Sequence, residues 1–350
     1  MKFMQWNRFF KFCCMIAFFC LLFFAVQRLL IPKYQDNDIR EGSMIAEYYG
    51  EEHDFDVIMI GNCEVYSTYI PAEIWQNYGI NSYIRGSAEQ YMPQTYYLLE
   101  ETLKYETPKV VVFNVLSLIY DEARTEAYNR MTMDGMKNSK IKYDCIRASK
   151  MEDETMQSYV FPLLRFHTRW KDVNQSDIDH YFTKDPVTHN GYYMRVDVKG
   201  VDYIPNPKPL ADPALPEKSM EYLDKMQKLC EENGISLLLV KAPSVYPHWY
   251  EEWDDEVRKY ADENGLTYIN LLDYTDEIGI DYSTDTFDGG LHMNLSGAQK
   301  CSDFLGSKLV EIYGLSDRRG EAELNNIWKE KIQRYNDDIA YQKELYQIEY

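Results

Sequence analysis

Short apolar runs that end at polar residues constrain the fold of this chain more than any other feature. The clearest is Val110–Val115 (VVVFNV), a continuous β-branched run of the kind that is buried on both faces of a parallel sheet. Similar runs occur at Val57–Ile60, Ser236–Val240 and Thr267–Leu272, and a shorter one at Ser82–Ile84. Stretches with helical spacing separate them. The sequence therefore predicts an α/β fold with a three-layer, doubly wound parallel sheet.

The segments between these runs carry apolar residues at helical spacing. We predict helices over Pro71–Tyr78, Pro93–Lys104, Glu152–Arg165, Lys218–Asn233, Trp253–Asn264 and Ser296–Tyr313. Ser296 and Gln299 suggest a capping box for the last of them. Residues 117–216 interrupt the rhythm and end in a proline-rich linker, which predicts an insertion over the carboxyl edge of the sheet. The α/β domain then spans residues 56–314, and 315–350 predict a charged C-terminal helix.

A strongly apolar N-terminal run predicts a membrane anchor within residues 1–34. Phe12–Val26 has no charged residue, and residues 1–34 contain five basic side chains and no acidic one. Because basic residues precede the run, we expect a single-pass cell-membrane protein with its N-terminus in the cytoplasm and its body outside. No small-residue cleavage site follows the run, which favours an uncleaved signal-anchor over a cleaved signal peptide. Residues 35–55 are polar and predict a stalk.

Net charge and absent motifs exclude several classes of protein. The chain carries a net charge of −20, so nucleic acid is not an expected partner. It has no glycine-rich phosphate loop, no dinucleotide-binding turn and no HExxH sequence, and its six histidines lack metal-ligand spacing. We therefore expect no cofactor and no metal ion. The seven cysteines are not spaced as a disulfide framework.

One pattern does indicate chemistry: a nucleophile, a histidine and an acid at loop positions. Cys63 follows a predicted strand, His292 lies just before a predicted helix, and Asp288 could orient its imidazole. Gly86 and Asn114 follow or end neighbouring strands, where an N–H group and a side-chain amide suit an oxyanion. Each residue also has a structural interpretation, since a cysteine after a strand is commonly buried and inert, and a glycine can serve backbone geometry alone.

The order GNCEVYS, YIRGSAEQ, VVVFNV and FDGGLHMNLSGA resembles the SGNH/GDSL hydrolase superfamily over about residues 56–313. The likeness is greatest to membrane-anchored surface members similar to the teichoic-acid D-alanine transfer protein and to alginate-acetylation proteins. The resemblance implies that Cys63 occupies the position of the family's nucleophilic serine. It also implies that Gly86 and Asn114 supply the oxyanion donors and that His292 is the base.

Two departures from the family pattern concern the nucleophile and the acid. Cysteine replaces serine, and a thiol suits acyl transfer to a sugar hydroxyl at least as well as hydrolysis. Asp288 lies four residues before His292, where the family has three, so the acid is Asp288 or, as the reserve candidate, Asp285. Lys241 and Trp249 follow a predicted strand and are candidates for lining the cleft.

These features predict an extracytoplasmic, membrane-anchored SGNH-like esterase or acyltransferase that acts on acyl groups of cell-surface glycans. The expected partners are the membrane, an acylated surface polymer and, from the resemblance, a membrane acyltransferase. The alternative is a catalytically degenerate protein of the same fold that binds glycans or assembles a polysaccharide-modifying complex. The sequence leaves open the acyl group, the acceptor and whether the Cys63 thiol is active.

Overall fold

The computed structural model describes residues 2–31, 42–182 and 186–348. The strands in these ranges are β1 (Val57–Gly61), β2 (Ser82–Gly86), β3 (Val110–Asn114), β4 (Ser236–Lys241) and β5 (Thr267–Asn270). They form one all-parallel sheet in the order β2-β1-β3-β4-β5. In sheets of this order, ligands bind at the carboxyl edge where the strand order reverses, here between β1 and β3.

α-Helices occur throughout the described ranges. They are α1 (Lys2–Leu30), α2 (Ser43–Glu47), α3 (Cys63–Thr68), α4 (Pro71–Tyr78), α5 (Met92–Thr102), α6 (Glu126–Met133), α7 (Lys140–Ser149), α8 (Met156–Val160), α9 (Leu163–Phe166), α10 (Gln175–Phe182), α11 (Glu217–Glu232), α12 (Glu251–Asn264), α13 (Thr275–Ile278), α14 (Leu295–Tyr313) and α15 (Ala322–Tyr346). Short 3-10 helices are Tyr48–Gly50, Val115–Ile119, His167–Lys171 and Leu271–Tyr274.

Apolar layers cover both faces of the sheet, which explains why its strands read as continuous apolar runs. Met59 of β1 belongs to the layer built with α4, α14 and α15, and its neighbour Ile60 belongs to the layer built with α5, α7, α11 and α12. Successive side chains of a strand point to opposite faces, so both faces bury apolar surface. The predicted parallel α/β fold with flanking helices is confirmed, and the charged C-terminal helix packs through Trp328, whose ring stacks on Trp75 at 5.2 Å.

Two predicted helices differ in the structure. The helix predicted over Glu152–Arg165 is wrong: α8 ends at Val160 and α9 begins at Leu163. Pro162 separates them, because the residue before a proline is disfavoured in the helical region. The predicted capping box of α14 is also wrong. Its cap is Asn294, whose Oδ1 accepts a hydrogen bond from Gly297 N at 3.2 Å.

The segment predicted as a stalk belongs to the folded domain where the structure describes it. Residues 32–41 lie outside the described ranges, but α2 and the 3-10 helix after it pack against the sheet. Ile45 and Tyr48 are fully buried there, and the guanidinium carbon of Arg85 lies 4.1 Å from the Tyr48 ring centroid. The apolar and aromatic residues of this charged stretch therefore anchor it to the domain, so the stalk prediction is wrong for residues 43–50.

The insertion of residues 117–216 forms short helices and then returns to the carboxyl edge of the sheet. Tyr193 N donates to Tyr66 O of α3 at 2.9 Å. Leu295 N, at the start of α14, donates to Arg195 O at 2.7 Å. The C-terminal part of the insertion therefore contacts α3, which begins at the candidate nucleophile, and α14, which follows the candidate base.

The N-terminal helix stands apart from the core. Among the described residues, α1 is the one helix long and apolar enough to span a membrane, over Arg8–Leu30. None of its most apolar window is buried within the protein. The anchor expected from the sequence therefore has a helix of suitable length and composition.

Candidate active site

The turn after β1 presents Cys63 at the carboxyl edge of the sheet. Gly61 ends the strand with φ 149°, and a Cβ there would lie 3.0 Å from Asn114 Cβ, so glycine is required. Asn62 caps α3 by accepting a hydrogen bond on Oδ1 from Glu64 N at 3.1 Å. Cys63 is thus the first residue of α3, and its side chain is half-buried.

His292 and Asp288 lie together in the loop before α14. The Nδ1 atom of His292 is 2.6 Å from Asp288 Oδ2, and Asp288 Oδ1 accepts the backbone N–H of His292 at 2.9 Å. These two bonds fix the ring, because Nδ1 carries the proton that the carboxylate accepts. The Nε2 atom is buried and makes no well-formed hydrogen bond with any described residue, which leaves it for the thiol.

Cys63 lies close enough to His292 to change its pKa. Burial acts to lower the pKa of His292, but the charge and hydrogen bonding of Cys63, together with Asp288, raise it to about 10. The site therefore favours the imidazolium that forms when Nε2 takes a proton. Protonated histidines next to cysteines stabilise the thiolate, which is the reactive form of the side chain.

Asp285, the reserve acid, has a different role. It is fully buried, and its Oδ2 accepts hydrogen bonds from Lys300 Nζ at 2.6 Å and Asp281 N at 2.7 Å. It therefore neutralises a lysine of α14 and holds the start of the loop. Of the two acids that the sequence left open, the structure brings Asp288 to the imidazole of His292.

Two aromatic rings lie nearly parallel to the imidazole of His292. The ring centroid of Phe287 is 5.5 Å away at an angle of 10°, and that of Tyr66 is 6.5 Å away at 19°. The guanidinium carbon of Arg195 lies 4.6 Å from the Phe287 centroid. Tyr66 is buried, and burial followed by the negative charge of Cys63 raises its pKa. The site is therefore walled by rings that limit access of water to the imidazole.

The predicted oxyanion donors lie beside the nucleophile turn. Asn114 ends β3 fully buried; its Oδ1 accepts from Leu116 N at 3.0 Å, while its Nδ2 has no hydrogen-bond partner in the described ranges. Gly86 ends β2 opposite Gly61. A Cβ on Gly86 would lie 2.4 Å from Val65 Cγ2, so only glycine lets α3 pack this closely.

Asn62 was not among the predicted site residues, although it shares a recognisable pattern with Asn114 and Asn270. Each follows or ends a buried strand, and each side-chain oxygen accepts from the backbone N–H two residues later, at 3.1, 3.0 and 3.1 Å. The Asn270 amide donates to Asp254 Oδ1 at 2.9 Å. The Nδ2 atoms of Asn62 and Asn114 are buried without a partner among the described residues. An unpaired buried donor costs about 1–3 kcal/mol, which is typical of a site whose ligand supplies the acceptor.

A fully buried ion pair supports α3 from the end of β4. Lys241 Nζ donates to Glu64 Oε1 at 2.8 Å, to Ala242 O at 2.7 Å and to Ser244 Oγ at 3.0 Å, which uses all three ammonium protons. Ser244 Oγ also bonds to Glu64. The prediction that Lys241 lines a cleft is therefore wrong, because its side chain is inaccessible. Trp249 is buried too, with its ring centroid 5.8 Å from Nζ.

Tyr120 lies near Cys63, and Glu89 lies near Tyr120 and Tyr66. Burial raises the pKa of Tyr120, and the negative charges of Cys63 and Glu64 add to the shift. Burial also raises the pKa of Glu89, which faces Arg124 at 3.6 Å. Glu89 has φ 49°, and non-glycine residues in this left-handed region concentrate at functional sites.

The seven cysteines of the chain are free thiols. Within the described ranges, no group of three or more His, Cys, Asp or Glu side chains could hold a metal ion. No protein-family model matches the chain, and no curated protein matches it either. What the site does must therefore be inferred from its geometry and from the motifs of the sequence.

Proposed function

We propose that this chain is an extracytoplasmic, membrane-anchored thiol esterase or acyltransferase with Cys63 as its nucleophile. The observation that carries the proposal is His292, which is bonded to Asp288 on one side and interacts with Cys63 on the other. A nucleophile, a base and an orienting acid in this order are the parts that acyl transfer requires. The substrate class, acyl groups of cell-surface glycans, is supported by the resemblance to SGNH/GDSL hydrolases and by the N-terminal anchor.

The first half-reaction forms a thioester. Nε2 of His292 takes the proton of the Cys63 thiol as the sulfur attacks the ester carbonyl carbon. The carbonyl π electrons move to its oxygen, where the Asn114 amide and the Gly86 N–H stabilise the charge. The C–O bond then breaks, and the leaving alkoxide takes the proton from His292 Nε2.

The second half-reaction returns the enzyme to its starting state. Neutral His292 takes a proton from water or from a sugar hydroxyl, whose oxygen attacks the thioester carbon. The C–S bond breaks, and the Cys63 sulfur takes the proton back from His292 as it leaves. A thiolate leaves more readily than a serine alkoxide, so the thioester can be passed to a sugar hydroxyl as well as to water.

Alkylation tests the thiol. Iodoacetamide at neutral pH should label Cys63 much faster than the other three cysteines of the body. Burial raises the pKa of Cys145 and of Cys230 to about 12, and it raises the pKa of Cys301 further. Mass spectrometry of the digested protein locates the label. Equal and slow labelling of all four would contradict the enzyme proposal and favour the non-catalytic glycan-binding or assembly subunit.

Matched variants connect the thiol to turnover. With 4-nitrophenyl acetate, the chain should show a burst of nitrophenol and carry one acetyl group on Cys63. Cys63→Ala should abolish both, and His292→Ala should slow alkylation as well as the burst. Cys301→Ala is the control, because this buried thiol packs in the core on α14. A burst that survives in Cys63→Ala would assign the reaction to another residue.

Topology is tested separately. Lys2, Arg8 and Lys11 precede the apolar run, which supports a cytoplasmic N-terminus. Tags inserted near residue 5 and at the C-terminus, followed by protease treatment of intact cells, should give loss of the C-terminal tag alone. A protected C-terminal tag would place the body inside the cell and contradict this part of the proposal.

A further inference from the structure

The C-terminal end of α1 is held by the insertion. Arg169 Nη1 donates to the backbone oxygens of Leu29 and Ile31, each at 3.3 Å, and its Nη2 bonds to the buried Asp177 at 2.9 Å. The last carbonyls of a helix have no partners within that helix, and a cation there interacts favourably with the negative end of the helix dipole. Arg169 therefore caps α1 and connects the candidate membrane helix to the body.

Contacts with the insertion continue down the side of α1. Leu163 N donates to Gln27 Oε1 at 3.4 Å, and Gln27 is almost fully buried as a result. The ring of Phe161 lies 6.2 Å from the ring of Phe23. Phe23 is seven residues before Leu30, which corresponds to about 10 Å along a helix axis. The insertion thus reaches about two turns below the end of α1.

The helices that hold α1 expose large apolar side chains. We call α8, α9, the 3-10 helix His167–Lys171 and α10 the docking helices. Apolar side chains that are exposed on them, or between α8 and α9 in the case of Phe161, are Phe161 (40%), Leu164 (61%), Trp170 (66%), Ile178 (39%) and Phe182 (79%). Soluble proteins seldom expose so much apolar surface in one place, and such patches indicate contact with a membrane or another protein.

Aromatic rings and cations accompany this apolar surface. Lys171 Nζ lies 5.8 Å from the Trp170 ring, and the Arg28 guanidinium lies 5.8 Å from the Tyr181 ring. Tryptophan and tyrosine next to basic residues are typical of the lipid–water interface, where one end of the side chain is apolar and the other is wet. This composition favours lipid over a protein partner as the surface that is contacted.

We propose that the docking helices lie in the outer lipid–water interface beside α1 and hold the body directly on the bilayer. Amphipathic interfacial helices insert about 5–10 Å into the boundary between headgroups and acyl chains, and the contact between Phe161 and Phe23 lies at a matching depth. The docking helices also cover Gln27, a polar residue that would otherwise enter the apolar layer. This inference depends on α1 spanning the membrane and is independent of the chemistry at Cys63.

Photocrosslinking of the full chain in its membrane tests this inference. Benzoylphenylalanine is introduced in place of Leu164 or Trp170, the membranes are irradiated, and phospholipid adducts are measured by mass spectrometry. Ile312 on α14 is the matched control, because it is 40% exposed and lies at the C-terminal end of that helix, remote from the candidate active site. We expect several-fold more lipid adduct at Leu164 and Trp170 than at Ile312.

A second control, at Phe19 in α1, separates the two ways in which the inference can fail. Phe19 is 58% exposed and lies mid-span, so it should form a lipid adduct if α1 crosses the membrane. Adducts at Phe19 with only the Ile312 level at Leu164 and Trp170 would leave the anchor intact and overturn the docking. Protein adducts at Trp170 in place of lipid would overturn it as well, and so would the absence of adducts at Phe19.

Discussion

Two histidines in this protein each bond to an aspartate, yet their pKa values shift in opposite directions. His292 Nδ1 lies 2.6 Å from Asp288 Oδ2, and His189 Nε2 lies 2.8 Å from Asp338 Oδ2. Both rings are largely buried, with side-chain exposures of 12% and 7%. The pKa of His292 is raised to about 10, whereas that of His189 is lowered. A histidine–aspartate pair is therefore not sufficient to indicate a catalytic site.

The difference in pKa comes from a further neighbour of each ring, which is Arg334 at His189 and Cys63 at His292. At His189, burial lowers the pKa most; Asp338 opposes it, and the Arg334 cation adds to it. Arg334 Nη2 also lies 3.4 Å from Nδ1, a contact in which Nδ1 accepts, so the ring is neutral. At His292, burial likewise lowers the pKa, but Cys63 raises it more than any other group. Only the second arrangement places a nucleophile beside the imidazole.

Replacing the aspartate that bonds to each histidine should give the largest contrast, which is measured in kcat. Asp288→Asn should lower kcat for 4-nitrophenyl acetate by about 10³–10⁴-fold, because the amide no longer orients the imidazole in its correct tautomer or stabilises its charge. Asp338→Asn, which breaks the equivalent bond to His189, should leave kcat unchanged. The measurement is steady-state kinetics of both purified variants. Equal losses would mean that the two pairs serve the fold alone.

Asn114 and Asn270, which both end strands, should differ less strongly: substitution of the first should lower kcat, and substitution of the second should lower stability alone. Asn114→Ser keeps an oxygen that can cap Leu116 N but removes the amide, so kcat should fall by about 10²–10³-fold with little change in KM. Asn270→Ser loses the bond to Asp254 and should lower the free energy of unfolding by about 1 kcal/mol without changing kcat. Kinetics and urea denaturation separate the two outcomes. An unchanged kcat in Asn114→Ser would remove this residue from the proposed oxyanion site.

Removing the thiol should reduce the difference between the pKa values of His292 and His189. In Cys63→Ala, the pKa of His292 should fall well below its value of about 10, because its strongest raising influence is gone. The pKa of His189 should not change, since Cys63 is not among its causes. NMR titration of the imidazole resonances measures both. A His292 pKa that stays near 10 in this variant would show that Asp288 alone sets it.

The pH dependence of stability should show the smallest effect. The folded-state pKa of His292 lies above its unfolded value of 6.5, so its contribution is complete below pH 6.5 and is lost as pH rises towards 10. The loss is at most about 1.4 kcal/mol per pH unit. For His189 the sign is reversed, because its lowered pKa costs stability as pH falls below 6.5. Urea denaturation between pH 7 and 9 should therefore show a decline that is flatter in Cys63→Ala.

The sheet could be predicted because its strands depend on local sequence. Burial on both faces requires aliphatic residues at successive positions, so runs such as VVVFN are visible without knowledge of their neighbours. Cys63, Gly86 and Asn114 also follow from this pattern, since each lies at or just after the carboxyl end of a strand. Parallel pairing brings those ends to one edge.

Contacts between distant segments could not be predicted in this way. Spacing alone does not choose between Asp288 and Asp285. The choice depends on two contacts in the folded chain, the bond of Asp288 to His292 and the pairing of Asp285 with Lys300 of α14. The buried pair of Lys241 and Glu64 joins residues 177 positions apart. Likewise, Arg169 reaches α1 from the middle of the insertion, a connection that no periodicity of either segment indicates.

The turn at Asn190 and Gly191 protects the protein against self-association. Strand β2 lies at the edge of the sheet, where open backbone groups would otherwise pair with another chain. Asn190 O accepts from Ile84 N at 2.9 Å, and its Nδ2 donates to Ser82 O at 3.1 Å. Gly191 has φ 87°, and a Cβ there would lie 2.1 Å from Ile84 O, so only glycine allows this approach. A larger residue at position 191 would push the turn away and leave β2 open to intermolecular strand addition and aggregation.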